Sequence, residues 1–128
     1  TCVAYDIDHL NYSKERISQF ALMKFDNQYK LQNIIEKPEV DKINQCVDVE
    51  GKIRVSMNLF SFNGKIFFNH LEKCPIHPIR NEKELPSAII NMIHETDSML
   101  GIPFAEHIPD LTSKEDVFKL EEYIAKHF

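Results

Sequence analysis

No apolar run in this chain approaches the roughly 20 residues that a membrane-spanning helix needs, so no helical span is expected. There is also no run rich in Lys and Arg. With 15 Lys and Arg against 20 Asp and Glu, the formal net charge is -5. That balance argues against a nucleic-acid backbone as partner. No secretory hydrophobic region is present. The cysteines (Cys2, Cys46 and Cys74) are odd in number, whereas a disulfide framework in a small secreted domain usually needs an even one. Free, structural thiols in a reducing compartment are the better reading. These features describe a soluble, cytoplasmic chain.

Internal repeats, low-complexity stretches and interior linkers are missing too. A chain of 128 residues with 43% hydrophobic content can build one core, or most of one, but not two independent domains. The first residue is Thr1, and the chain enters directly into the apolar Cys2-Val3-Ala4-Tyr5. A natural terminus is usually polar and frayed, so this beginning reads as a cut inside a fold or a processed product.

What is there reads as alternating strands and helices. Cys2 to Ile7 has the composition of a buried strand. Asp8 to Ser18 is polar, with one helical turn at Ser13 to Arg16. Phe20 to Asp26 and Leu31 to Glu36 read as a hairpin turning at Asn27-Gln28 and stopped by Pro38. Glu39 to Gly51 carries no clear pattern. Ile53 to Phe62 is the strongest strand candidate, and Asn63-Gly64 is a turn before a short helix over Lys65 to Lys73. Cys74 to Asn81, with two prolines, reads as extended. Pro86 opens a helix whose stripe is Ile89, Ile90, Met92 and Ile93, with Gly101 near its C-cap. Phe104 to Ile108 reads as a strand. Ser113-Lys114-Glu115-Asp116 resembles a capping box, and Val117, Leu120, Ile124 and Phe128 form the expected buried face of a last helix. This order predicts an α/β fold with a mixed sheet and flanking helices.

The chemistry concentrates at Ile34-Ile35-Glu36-Lys37-Pro38. A carboxylate beside an ammonium at the carboxyl end of a strand lies where open α/β sheets bind ligands. Glu36 can accept hydrogen bonds from hydroxyls, and Lys37 can neutralise a phosphate. On a regular strand the two side chains point to opposite faces, so Pro38 is expected to bend the chain if both are to reach one ligand. The plainer alternative is a solvated ion pair closing the strand.

This strand end resembles the Glu-Lys-Pro element of sugar-1-phosphate nucleotidyltransferases. Arg54 to Phe62 is similar to that family's next core strand, with Asn58 in the place of a polar residue facing the sugar. Glu84-Leu85-Pro86 resembles the start of a later helix in one subgroup. Asp110 to Asp116 resembles the aspartate loop before the last helix. The four stand in the family's order along almost the whole chain.

The resemblance implies a partial Rossmann-like sheet of the nucleotide-diphospho-sugar transferase type. Residues 1-128 would be the C-terminal, sugar-phosphate-binding part of a nucleotidyltransferase domain. Glu36, Lys37, Asn58 and Glu84 would hold the substrate, Lys37 would act in catalysis, and Asp110 would be one ligand of Mg²⁺. The partners would be a sugar-1-phosphate and a nucleoside triphosphate. A sugar-phosphate oxygen would attack the α-phosphorus in line and pyrophosphate would leave, a step that rests on positioning and charge neutralisation.

Three departures follow. The family's Gly-rich phosphate loop and its first metal-binding Asp do not occur here, so the chain alone is expected to be catalytically silent. Ala21 stands where the family often has Gly against the sugar. Asp110 reads equally well as a helix N-terminal acid. Unpaired sheet edges and exposed apolar surface would favour self-association, or pairing with the missing half. A non-catalytic sugar-phosphate-binding or interaction module of the same fold is the alternative function.

Other constellations are weaker. His70, Cys74 and His77, with Cys46, have the residue types of a zinc set but not its paired spacing, and His70 reads as helix surface. Arg80, Glu82, Lys83 and Glu84 read as a solvated helix start. His94 and His107 stand alone, with no nucleophile in view.

Overall fold

A computed structural model describes residues 1-38, 43-95 and 99-128. Its strands are β1 (Cys2–Asp6), β2 (Ala21–Phe25), β3 (Leu31–Ile35), β4 (Arg54–Ser56) and β5 (Gly101–Phe104). Its helices are the single turn α1 (Lys14–Ile17), then α2 (Gly64–Lys73), α3 (Leu85–Glu95) and α4 (Asp116–His127). The strands form one mixed sheet in the order β3-β2-β4-β1-β5. Only the β1–β5 pair is parallel. The α/β class and the mixed sheet with helices are as expected.

Alternation along the strands separates two cores. Cys2, Ala4, Met23, Leu31 and Ile34 face Ile89 and Met92 of α3. Tyr5, Leu22 and Val55 face the other way, against Leu10 and Cys46. All three cysteines are free and buried. Phe62 stacks between Phe60 and Phe67, at centroid distances of 5.9 and 3.8 Å, under the first core. Phe68 is exposed because the α2 stripe that faces α3 runs through Phe67 and His70.

The two outer strands approach each other. Lys30 bridges Leu100, the Leu31 N–H donates to Met99 O at 2.8 Å, and the Gly101 N–H donates to Tyr29 O at 2.7 Å. The sheet therefore curls until its edges touch at this end. Gly101 is required there: a Cβ would lie 2.3 Å from Phe25 Cε1.

Several expectations change. Gly101 opens β5 instead of capping a helix, and the last strand is Gly101–Phe104, not Phe104 to Ile108. Cys74 to Asn81 is not extended throughout: Ile76 bridges Lys83, and the Asn81 N–H donates to His77 O in a turn between them. The stretch read as one strand over Ile53 to Phe62 holds only three strand residues. Tyr5 faces Val55 but Cys2 faces Phe60, so three steps along β1 are matched by five on the other chain. The excess is a bulge over Met57 and Asn58, where Asn58 is left-handed at φ 59. Residues 39-42 of the stretch without a pattern lie outside the described residues.

The last helix also turns a different face inward. Val117 is 40% exposed, Ile124 49% and Phe128 100%, so three of the four residues expected to be buried are not. The half-buried positions are Asp116, Leu120 and Tyr123. The surface α4 rests on is polar and aromatic: Tyr123 meets His107 edge to face, and its hydroxyl donates to His107 O at 3.4 Å.

Candidate functional site

β3 ends at Ile35, and the chain turns immediately. Lys37 takes a left-handed backbone at φ 45, a conformation that costs an L side chain about 1–2 kcal/mol. The bend that brings Glu36 and Lys37 to one side therefore lies at Lys37 itself, one residue before the expected Pro38. Both line a cavity of about 390 Å³ together with Ser56, Asn58 and Arg80. Phe20, Ala21, Ile34, Phe60 and Pro86 supply its apolar wall. Two of the non-glycine residues with positive φ, Lys37 and Asn58, thus meet at one concavity, as strained residues at ligand sites tend to do.

The polar side of the cavity is partly committed. The Asn58 N–H donates to Ser56 Oγ at 3.2 Å, which fixes the hydroxyl and leaves its proton able to donate. Arg80 Nη2 lies 3.7 Å from Glu36 Oε2, and Arg80 Nη1 lies 2.8 Å from Glu84 Oε1. The Glu84 contact is an ion pair without hydrogen-bond alignment, since that buried oxygen has no well-directed donor among the described residues. Glu84 therefore reaches the cavity through Arg80. An ion pair as exposed as that of Arg80 with Glu36 is worth about 0–1 kcal/mol, so a stronger anion can displace it. The charged cluster read as a solvated helix start thus contributes Arg80 to the cavity. Ser56 joins it from β4. Neither had a local signal, because only the sheet register and the turn before α3 bring them here.

Asp110 is not with the others. It lines a separate, larger concavity of about 800 Å³, with Tyr12, Arg16, His107, Asp116 and Tyr123 on its walls. Arg16 Nη2 stands 2.6 Å from Asp110 Oδ2, 2.7 Å from Thr112 Oγ1 and 3.7 Å from Asp116 Oδ2. Asp116 accepts from the Ser113 N–H and hydroxyl and from the Thr112 N–H, which is the capping contact its position suggested. These bonds, led by the Ser113 N–H, hold its carboxyl at about 2. Burial, and then the nearby His127, hold the His107 imidazole below its ordinary value. Within this groove Arg16, Asp110 and Asp116 satisfy one another.

A Mg²⁺ at Asp110 can be tested against the donor set. A divalent cation needs several oxygens free to turn to it, and Arg16 holds the Asp110 oxygen at charge-assisted hydrogen-bond distance. As arranged, these residues do not make a magnesium site. No group of three or more His, Cys, Asp or Glu converges on a cation position among the described residues. The zinc set is dispersed: Cys46 belongs to the second core, and His70 is buried beside Glu95, its Nδ1 3.6 Å from Glu95 Oε2, not on the helix surface as expected.

No helix among the described residues is long and apolar enough to cross a membrane. Comparison with protein-family models and with curated proteins finds no match.

Proposed function

We propose that the cavity between the end of β3, the β4 bulge and the start of α3 binds a phosphorylated, hydroxyl-bearing small molecule of the sugar-1-phosphate kind. The observation that carries this reading is the convergence of Glu36, Lys37 and Asn58 with Arg80 on one concavity. Lys37 and Arg80 would neutralise the phosphate, Arg80 by its planar fork and Lys37 as a point charge. Glu36, Asn58 and Ser56 would take the hydroxyls, and the faces of Phe20 and Phe60 the C–H surface. In the fuller form of the proposal this is the acceptor side of a cytoplasmic nucleotidyltransferase with a Rossmann-like sheet. There the bound phosphate would attack the α-phosphorus of a nucleoside triphosphate gripped by a further segment of protein. No step of the proposal is routed through a metal at Asp110.

The reading is tested by calorimetric titration with α-D-glucose 1-phosphate and related sugar phosphates. Saturable binding is expected, weakened at least about tenfold by Lys37→Ala through loss of one charge-assisted contact. If no sugar phosphate binds, the reading fails. The pairing of Asp110 with Arg16 favours a second reading, a sugar-phosphate-binding module without catalysis. Release of pyrophosphate from a nucleoside triphosphate in the presence of the sugar phosphate, measured on this chain joined to the segment that grips the triphosphate, separates the two.

A further inference from the structure

The loop before α4 gathers oxygens around one point. Asp110 Oδ2, Thr112 Oγ1 and Asp116 Oδ2 lie 2.6, 2.7 and 3.7 Å from a single nitrogen, Arg16 Nη2. The Thr112 hydroxyl also donates to Asp110 Oδ2 at 3.1 Å, tying the two acceptors together. Two carboxylates and a hydroxyl are hard oxygen donors, the types a divalent cation selects. Here the charge at their centre is a guanidinium carried by α1, which cannot lose its proton.

We infer that Arg16 is the resident cation of this cluster, so that the loop holds a guanidinium where the family resemblance places a metal. Three features support the assignment. The Arg16 side chain is 27% exposed and the Asp110 side chain 29%, so the pair is partly withdrawn from water and less screened than a surface pair. Arg16 is fixed at its base as well, because Ser13 caps α1 by accepting the Arg16 N–H at 3.3 Å. Its guanidinium also lies 6.0 Å from the centre of the Tyr12 ring, whose hydroxyl donates to Ile108 O on the same loop. A divalent ion would have to expel a tethered, pre-oriented cation and then leave it beside a like charge. The contact also joins α1 to the start of α4, which are 94 positions apart at Arg16 and Asp110. Arg16 is therefore a positioning residue for the loop as well as its counter-charge.

The experiment uses Mn²⁺ as a paramagnetic probe with ¹⁵N-labelled protein, comparing wild type, Arg16→Ala, Arg16→Lys and Asp110→Asn. In wild type, Mn²⁺ should leave the amides of residues 110–116 unbroadened. In Arg16→Ala the same amides should broaden saturably, with affinity raised at least about tenfold by removal of the competing charge. Arg16→Lys keeps a cation in place and should still resist the ion, which separates loss of charge from loss of fold. Asp110→Asn should not broaden in any background. Saturable broadening of residues 110–116 in wild type, at an affinity equal to that of Arg16→Ala, overturns the inference. An Arg16→Ala protein that stays folded by circular dichroism yet gains no Mn²⁺ binding overturns it equally.

Discussion

Lys37 occupies a backbone region that favours glycine, and this sets stability against function at a single residue. Replacing it with glycine should relieve about 1 kcal/mol of backbone strain. The Lys37→Gly protein should therefore unfold at higher urea while losing sugar-phosphate binding, a combination that equilibrium unfolding and calorimetry can check on the same sample. Asp116 makes a pH-dependent contribution of definite sign. Its folded value of about 2 lies below the ordinary 3.8, so its carboxylate stabilises the α4 start fully above that ordinary value. The contribution fades as pH falls from there toward 2. An NMR titration of the Asp116 carboxyl should follow this curve, and Asp116→Asn should flatten the matching loss of α4 helicity. Glu36 and Lys37 were legible because each carries its chemistry in its own residue type, and Asn58 entered only by the family resemblance; all three line the one cavity. Arg80 and Ser56 were not, since a salt-bridged arginine and a strand serine look the same in sequence wherever they point.

At the scale of elements, the β4 region shows what periodicity leaves out. Val55 lies in the core as its pattern requires, but nothing in Met57-Asn58 announces that the ladder slips there. The slip carries Asn58 toward the cavity. Just before β4, Asp48 clasps a tight loop. Its Oδ1 accepts the Glu50 and Lys52 N–H groups at 2.9 and 2.8 Å, and its Oδ2 meets Arg54 Nε at 2.6 Å. Burial alone would raise this carboxyl, but the bonds from Lys52, Arg54, Glu50 and Tyr29 prevail and hold it low. The Arg54 and Asp48 side chains are 2% and 1% exposed. Asp48→Ala leaves the buried Arg54 with only the exposed Glu50, 2.7 Å away, as counter-charge; the loss should approach but not reach the about 3–5 kcal/mol of a wholly uncompensated buried charge by chemical denaturation. Of the expected α4 stripe only Leu120 is turned inward, for a related reason. Asp116, Leu120 and Tyr123 share a face, but an aspartate and a tyrosine do not look like a core stripe until the aromatic and charged surface beneath them is known.

At the scale of the whole molecule, the α/β class and the order of elements could be read from the chain. The pairing order could not, because it depends on contacts between distant residues. The outward apolar side chains are a second global property. Phe118 at 71% and Ile124 at 49% stand on α4, Phe128 at 100% just beyond its end, and Ile102 at 49% on the outer strand β5. Such exposed apolar surface favours association. Light scattering should show a mass that rises with concentration, and Phe118→Asp together with Ile102→Lys should return it to that of a monomer. The meeting of the outer strands near Gly101 has a different consequence. Where the first hairpin and the last strand are stitched together at this end, neither can peel from the sheet there without breaking the bonds between them. Local opening of that seam then couples two segments that lie some 70 positions apart in the chain, Lys30 and Leu100.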